Sequence, residues 1–420
     1  MRPTDALPHP ADWHTTTVGR SVEVKRGVSW SKDQEHSEPG PDRVPVIGIR
    51  NVQDRLDLTD LLYLSGLKPA AVDEARVSAG WTVSVGSNGN RARIGNAVFV
   101  REDAAFLFAS FLIGAKPKAG SGLSPDYFYR WLSTEQVQAY LSASSEGTTG
   151  LSNLSHSFFR AMSIPVPPPD EQAAIARILD AVDTALERTR AAVERARELE
   201  RSALEDAFGT LEAPHRRLRE FTTEVRYGTS KASSDRGWGN AVLRIPNVVG
   251  DRLSLADLAS VELPPAEVDR LRLEDGDLLL VRTNGNPNYV GRSVVFRQPD
   301  ERTWVYASYL IRVRLSDGLM PDFLNVFLGT ARGRRELLRR VTTSAGNHNI
   351  NSNSIRLLSL PVPDSAGAQE RIVQLAGACR SHVDALEKKG DALKQLKKSL
   401  MHDLLTGRVR VTNSMGAATS

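Results

Sequence analysis

Ile164-Pro165-Val166-Pro167-Pro168-Pro169-Asp170-Glu171-Gln172 leads into an amphipathic run that reaches about Phe208, and the chain contains this arrangement twice. The second copy is Leu360-Pro361-Val362-Pro363, a short linker, Gln369-Glu370-Arg371-Ile372, and a run to about Leu405. Proline lacks an N–H and restrains the residue before it, so each approach is non-helical. Asp170 stands where an N-cap is expected, and Glu171 suits the positive end of the helix dipole. Beyond it the apolar residues fall into heptads. With Ile175 as position a, the a/d set is Ile175, Leu179, Val182, Leu186, Thr189, Val193, Ala196, Glu200, Ala203 and Ala207. The second copy gives Ile372, Ala376, Cys379, Val383, Leu386, Gly390, Leu393, Lys397, Leu400 and Leu404. Each stripe has two misfits, and both break at matched charged positions, Glu200 and Lys397, just after Leu199 and Leu396. That is the drift of a 3.6-residue helix held against a 3.5 repeat. Helices of this length, roughly 58 Å at about 1.5 Å per residue, with so narrow a stripe, are expected to pack on each other.

The repeat extends well beyond the helices. Arg55-Leu56-Asp57-Leu58-Thr59-Asp60-Leu61 is answered by Arg252-Leu253-Ser254-Leu255-Ala256-Asp257-Leu258, and Phe108-Ala109-Ser110-Phe111-Leu112 by Tyr306-Ala307-Ser308-Tyr309-Leu310. Asn88 and Asn284, Gly95 and Gly291, Gly150 and Gly346, and Pro165 and Pro361 all stand 196 residues apart. A near-constant offset over separate blocks marks a tandem duplication. Each unit begins with a globular part holding short β-like runs: Val44–Ile49, Trp81–Val85 and Ala97–Val100 in the first, Val242–Ile245, Asp277–Val281, Ser293–Phe296 and Tyr309–Val313 in the second. A helix (Pro125–Tyr140; Pro321–Arg340), a Gly/Ser/Thr/Asn loop, a strand (Ser163–Val166; Leu358–Val362) and the long helix follow.

The chain has 420 residues, 25% charged and 40% hydrophobic, ordinary usage for a globular protein of two or three domains. No run of about 18 apolar residues suggests a membrane span, and the polar Met1–Asp12 stretch does not read as a signal peptide. The single cysteine, Cys379, excludes a disulfide framework, is expected as a small buried hydrophobe on the helix stripe, and points to a reducing cytoplasm. A net charge of +4 is compatible with nucleic acid without demanding it.

Two Gly/Asn/Ser/Thr segments recur in each half and supply the candidate binding residues. The first holds Ser87, Asn88, Asn90, Arg91 and Arg93, with its partner holding Arg282, Thr283, Asn284, Asn286, Asn288, Tyr289 and Arg292. The second holds Thr148, Thr149 and Asn153, with its partner holding Asn347 and Asn349. Asn-Gly is first of all a turn former. Arginine reads guanine, Asn reads adenine, and hydroxyls and backbone N–H groups bind phosphate, so the segments are also expected at a DNA surface. Ala331–Arg340 carries five arginines in ten residues, Arg335 among them, either as a solvated helix face or as a phosphate-tracking patch.

Enzymatic motifs fail. Asn286-Pro287-Asn288-Tyr289 misses the third position of the amino-methyltransferase Asn-Pro-Pro-Tyr motif, and no Gly-rich cofactor loop or Walker lysine occurs. Glu23-Val24-Lys25 and Glu387-Lys388-Lys389 match only the tail of a nuclease motif, and the histidines lack metal-ligand spacing. Catalysis within the chain is not expected.

The duplicated layout resembles the specificity (S) subunit of type I restriction–modification systems. The resemblance rests on the two Pro-rich helix approaches with Glu171-Gln172 and Gln369-Glu370, on Arg282-Thr283-Asn284-Gly285-Asn286 with Gly291-Arg292, on the Gly150 and Gly346 loops, and on Leu400-Met401-His402-Asp403-Leu404-Leu405-Thr406-Gly407-Arg408-Val409. It covers nearly the whole chain, although the first half lacks the Arg-Thr lead-in. It implies an α+β protein of two pseudo-symmetric α/β target-recognition domains separated by two long antiparallel coiled-coil helices. The implied division is domain one at 1–165, a central helix at 166–209, domain two at 210–362, a distal helix at 363–410 and a disordered tail at 411–420. Each domain would read half of a split double-stranded DNA site in the major groove, while the helices set the spacer. Two methyltransferase (modification) subunits would dock on the helices, joined by restriction/translocase subunits. This chain would bind no cofactor; AdoMet, ATP and Mg²⁺ are expected on the partners. The rival readings are a single-chain DNA-modifying or DNA-cleaving enzyme and a non-catalytic coiled-coil scaffold.

Overall fold

The structure, a computed structural model, describes residues 8–411 apart from 104, 105, 149, 235, 236, 250, 251 and 345. The chain forms two compact units: Met1–Arg188 with Lys389–Ser420, and Thr189–Lys388. The units do not break at the helix ends that the sequence marks; each takes half of each long helix. No helix among the described residues is long and apolar enough to cross a membrane.

Both units are built around the same antiparallel sheet. In the first the strand order is Val22–Arg26, Leu112–Pro117, Thr82–Val85, Ala97–Phe99; in the second it is Thr222–Tyr227, Leu310–Leu315, Leu278–Val281, Ser293–Val295. A second sheet in each unit contains a parallel pair, Val44–Ile47 with Phe106–Phe108 and Asn240–Leu243 with Trp304–Tyr306. A buried asparagine at the same repeat position shapes the turn after the first of these strands. Asn51 Oδ1 accepts from the Gly48 N–H and its amide donates to the Asp57 and Asp60 carbonyls. Asn247 does the same with Arg244, Ser254 and Ala256.

The single helices expected at Pro125–Tyr140 and Pro321–Arg340 are each two: Pro125–Leu132 with Glu135–Ala143, and Pro321–Gly329 with Ala331–Leu338. A threonine at each break caps the next helix. Thr134 Oγ1 accepts from Val137 N–H at 3.4 Å and Thr330 Oγ1 from Gly333 N–H at 3.1 Å.

The long helices span Pro169–Gly209 and Ala366–Leu405. Asp170 is not the N-cap. The Pro168 carbonyl accepts the first helical bond, from Gln172 at 3.0 Å, because Pro169 fits the first helical position and loses no bond there. The helices run antiparallel within each unit. In the second, Arg197 meets Glu387 at 2.6 Å and Glu200 meets Arg380 at 3.4 Å, while Leu204 and Phe208 share a core with Ile372 and Ala376. In the first, Asp183 meets Lys397 at 2.7 Å, and Ile175 and Leu179 share a core with Leu404 and Leu405. The two charged stripe-breakers are therefore interhelical ion pairs. Past Glu200 the buried face moves to Leu204 and Phe208, one residue beyond the heptad positions, and Leu199 is left 69% exposed. Cys379 is half-buried rather than buried.

A glutamine latches the first turn of each long helix to its unit. Gln172 accepts from Ser124 N–H at 2.8 Å and donates to the carbonyls of Gly122 (2.7 Å) and Pro167 (2.9 Å). Gln369 accepts from Met320 N–H and donates to the Gly318 carbonyl, both at 2.8 Å.

In the first unit Asp12 and Trp13 meet Arg410 and Val411 around Glu171. Glu171, 4% exposed, accepts from Trp13 Nε1 (3.1 Å) and from Arg410 Nε (2.8 Å) and Nη2 (2.9 Å), and Arg410 also pairs with Asp12. Val411, assigned by sequence to the tail, packs here and donates its N–H to Glu171 at 3.3 Å. The rest of that tail lies outside the described residues.

Candidate nucleic-acid interface

The two candidate segments of each half, far apart in sequence, are neighbours in space. In the first unit Glu146–Thr148 and Leu151–Asn153 form a hairpin, and Leu151–Asn153 pairs with Ser87–Asn88, Asn153 opposite Ser87. In the second unit Thr342–Ser344 and Asn347–Asn349 form the hairpin, and Asn349 stands opposite Thr283. The hairpin turns hold Gly150 at φ +86° and Gly346 at φ +77°, a region that side-chain-bearing residues avoid. Leu154 N–H to Gly86 and Ile350 N–H to Arg282 continue both ladders at 2.8 and 2.9 Å. Thr149 lies outside the described residues, and of Thr148 only the backbone pairing with Leu151 is described.

Several candidates have structural duties. Asn88 Oδ1 accepts from Asn90 N–H and Asn90 Oδ1 from Ala92 N–H, at 2.7 and 3.0 Å. Asn284 and Asn286 repeat this with Asn286 and Asn288, at 2.9 and 3.0 Å. Their oxygens shape the loop, as the turn reading requires. Arg91 donates to the Ser142 and Ala143 carbonyls, and Arg93 to those of Ile49 and Val52. The second unit makes the corresponding clasp in reverse, Arg334 reaching from its helix to the Val290 carbonyl at 2.8 Å. Burial, with Arg292 nearby, pulls the Arg334 guanidinium below its ordinary pKa. Gly95 and Gly291 let loop and helix touch, since a Cβ at either would lie 2.8 Å from Leu141 or Leu337.

The arginine-rich helix divides likewise. Arg332 donates to the Phe208 carbonyl and Arg340 pairs with Glu336, whereas Arg335 and Arg339 are exposed and have no side-chain partner among the described residues. Arg292 is exposed, with Nε on the Asn288 carbonyl at 3.2 Å; Asn288, Tyr289, Asn347 and Asn153 are exposed, and Asn349 is half-buried.

Two similar small sheets thus present different chemistry: Leu151 in one where Asn347 stands in the other, and Gly86 where Arg282 stands. The profile described as "Type I restriction modification DNA specificity domain" matches residues 10–195. Residues 10–195 are a type I restriction modification DNA specificity domain. Over nearly its whole length the chain is also similar to type I specificity subunits, as the resemblance implied. It is 24% identical over 400 residues to the type I restriction enzyme EcoKI specificity subunit of Escherichia coli (strain K12), covering 90% of this chain and 84% of that one. It is 24% identical over 422 residues to the StySPI specificity subunit of Salmonella potsdam, covering 96% and 89%. In fold it resembles the type I restriction–modification S subunit from M. genitalium (TM-score 0.54, 15% identity, 96% and 99% covered). A chain from a structure describing assembly and conformational transition of the type I R-M system gives a TM-score of 0.62, also at 15% identity with 96% and 99% covered.

The specificity domain and its repeat in the second unit contain surface features that the sequence did not single out as sites. Tyr227 stacks under Arg282, whose guanidinium lies 4.7 Å from the ring centroid, and its hydroxyl accepts from Ser352 N–H. Phe111 and Tyr309 are exposed beside the small sheets. Their only sequence signal is the repeated Ala-Ser-aromatic-Leu tract. Among the described residues no group of His, Cys, Asp and Glu could hold a metal ion.

Proposed function

We propose that each globular domain reads one half of a bipartite double-stranded DNA target in the major groove, using its three-stranded sheet and the adjoining Asn-Gly loop. The observation that carries this is the assembly, in both units, of the same two remote segments into one small sheet with exposed polar or apolar side chains of different identity. A duplicated frame with dissimilar reading surfaces suits a two-part, non-palindromic site. Ser87, Asn153, Asn347 and Asn349 face the bases, and Arg292 and Arg335 meet phosphates. The paired helices set the spacer and dock two methyltransferase subunits, to which restriction/translocase subunits add. AdoMet, ATP and Mg²⁺ belong to those partners, and the chain works in the cytoplasm.

Arg335 and Arg339, exposed and without a side-chain partner among the described residues, are phosphate contacts, which gives a direct test. Arg335→Gln and Arg339→Gln are each expected to weaken binding to all DNA sequences alike. Each should lower the slope of log affinity against log salt by about one. Titration of the complex with target and non-target duplexes at several salt concentrations reads this. An unchanged slope would remove this helix from the interface.

A further inference from the structure

Two matched turns present an aromatic side chain to solvent at the edge of the proposed interface. Ala109-Ser110-Phe111-Leu112 and Ala307-Ser308-Tyr309-Leu310 are each closed by a 2.9 Å bond from the leucine N–H to the alanine carbonyl. Each turn is tied down again on both sides. Ala109 and Ser110 donate to Ile47 and Val28 at 2.9 Å; Ala307 and Ser308 donate to Leu243 and Thr229 at 2.9 and 2.7 Å. The Phe111 carbonyl accepts from the N–H of Gly86 (2.8 Å) and Ser87 (2.9 Å), and the Tyr309 carbonyl from that of Arg282 (2.8 Å). The aromatic residue is thus bonded through its main chain to the residue that begins the Asn-Gly segment.

A glycine passes beneath each turn. A Cβ at Gly27 would lie 2.2 Å from the Ala109 carbonyl oxygen, and one at Gly228 2.1 Å from that of Tyr306. Both halves therefore keep a glycine and a rigid turn, and the ring each turn carries stays 46% exposed at Phe111 and 57% at Tyr309. Neither ring needs this frame to support the core. A fixed, exposed aromatic loses little conformational entropy on contact, which suits recognition.

We propose that Phe111 and Tyr309 are specificity-determining residues, each touching a base edge in its own half-site; this rests on the DNA reading above. The two differ in chemistry. Phe111 stands edge-on to Trp30 with ring centroids 6.2 Å apart, and the Trp30 N–H is taken by Glu35 at 2.7 Å. The pair offers only apolar surface, which matches the thymine 5-methyl group, the apolar feature of the major groove. Tyr309 adds a hydroxyl to its ring, and its carbonyl accepts from the Arg282 N–H, so this turn reads a hydrogen-bonding edge.

The test uses the full chain co-purified with its methyltransferase partner, target duplex, non-specific duplex, and targets carrying deoxyuridine for thymine one position at a time. The wild-type complex is expected to lose about tenfold in affinity at one thymine of one half-site. Phe111→Ala should show that loss on the unmodified target and no further loss at that deoxyuridine. Tyr309→Phe, which keeps the ring, should lose about tenfold through the other half-site only. Non-specific binding should be unchanged throughout. Wild-type behaviour of both variants, equal weakening on target and non-specific DNA, or indifference of the wild type to every deoxyuridine would overturn the assignment. A wild-type complex that distinguishes no target from non-specific DNA would overturn the DNA reading itself, and this proposal with it.

Discussion

Arg410→Met is expected to destabilise the first unit by about 3 kcal/mol while leaving the second at its wild-type stability. Glu171 is nearly buried, and Arg410 supplies two of the hydrogen bonds to its carboxylate. Without the arginine, the Trp13 and Val411 N–H groups are the hydrogen-bond donors that remain to this carboxylate among the described residues. An uncompensated buried carboxylate costs more than the lost attraction, because its desolvation is no longer offset. Glu171→Gln in the same chain removes that charge, so the double variant should recover much of the loss. Hydrogen exchange followed peptide by peptide separates the two units. Faster exchange confined to residues 8–188 and 389–411 is the expected pattern, and equal acceleration at 189–388 would show that the clasp is not local to the first unit. The clasp also explains why Asp12 and Arg410 matter. Residues 210–214 link the central helix covalently to the second unit's first strand, whereas in the first unit the matching junction is non-covalent and includes the ion pairs of Arg410 with Asp12 and Glu171.

Four residues inserted into both long helices, between Arg188 and Thr189 and between Lys388 and Lys389, should move the tolerated spacer without changing either half-site. Each insertion adds roughly 6 Å, close to two base pairs at about 3.4 Å each. Methylation of the native target should fall more than about 100-fold, since contacts worth several kcal/mol in one half-site are lost. A target with the same halves and a spacer about two base pairs longer should gain it. The positions are chosen because the compact units divide there, inside the helices and away from both domain cores. Altered half-sites would show that the helices do more than space the domains.

The frame of this protein was legible in its sequence because it is written in periods. The heptad stripe, the Pro-rich approaches and the 196-residue offset all leave marks at fixed spacing. The charged misfits Glu200 and Lys397 were visible too, but their meaning was not, since the partners Arg380 and Asp183 lie on the other helix. The site was legible only in part. Asn88, Asn90, Asn284 and Asn286 are turn formers before anything else, and Arg91, though exposed, and the half-buried Arg93 are engaged with backbone carbonyls. Nothing in a run of residues tells a solvent-facing arginine from one that reaches a carbonyl some 40 or 50 positions away. The exposed aromatics were hidden differently. Phe111 and Tyr309 sit in tracts that look like strand, and the turn shows only when Gly27 and Gly228 are placed beneath it.

The most direct measurement is a genome-wide map of methylated adenines in cells expressing this chain with a functional methyltransferase partner. Two half-sites of unlike sequence, separated by a spacer of fixed length and methylated together, are the predicted result. A continuous or palindromic motif, or no motif with the partner active, would contradict the assignment of one half-site to each domain.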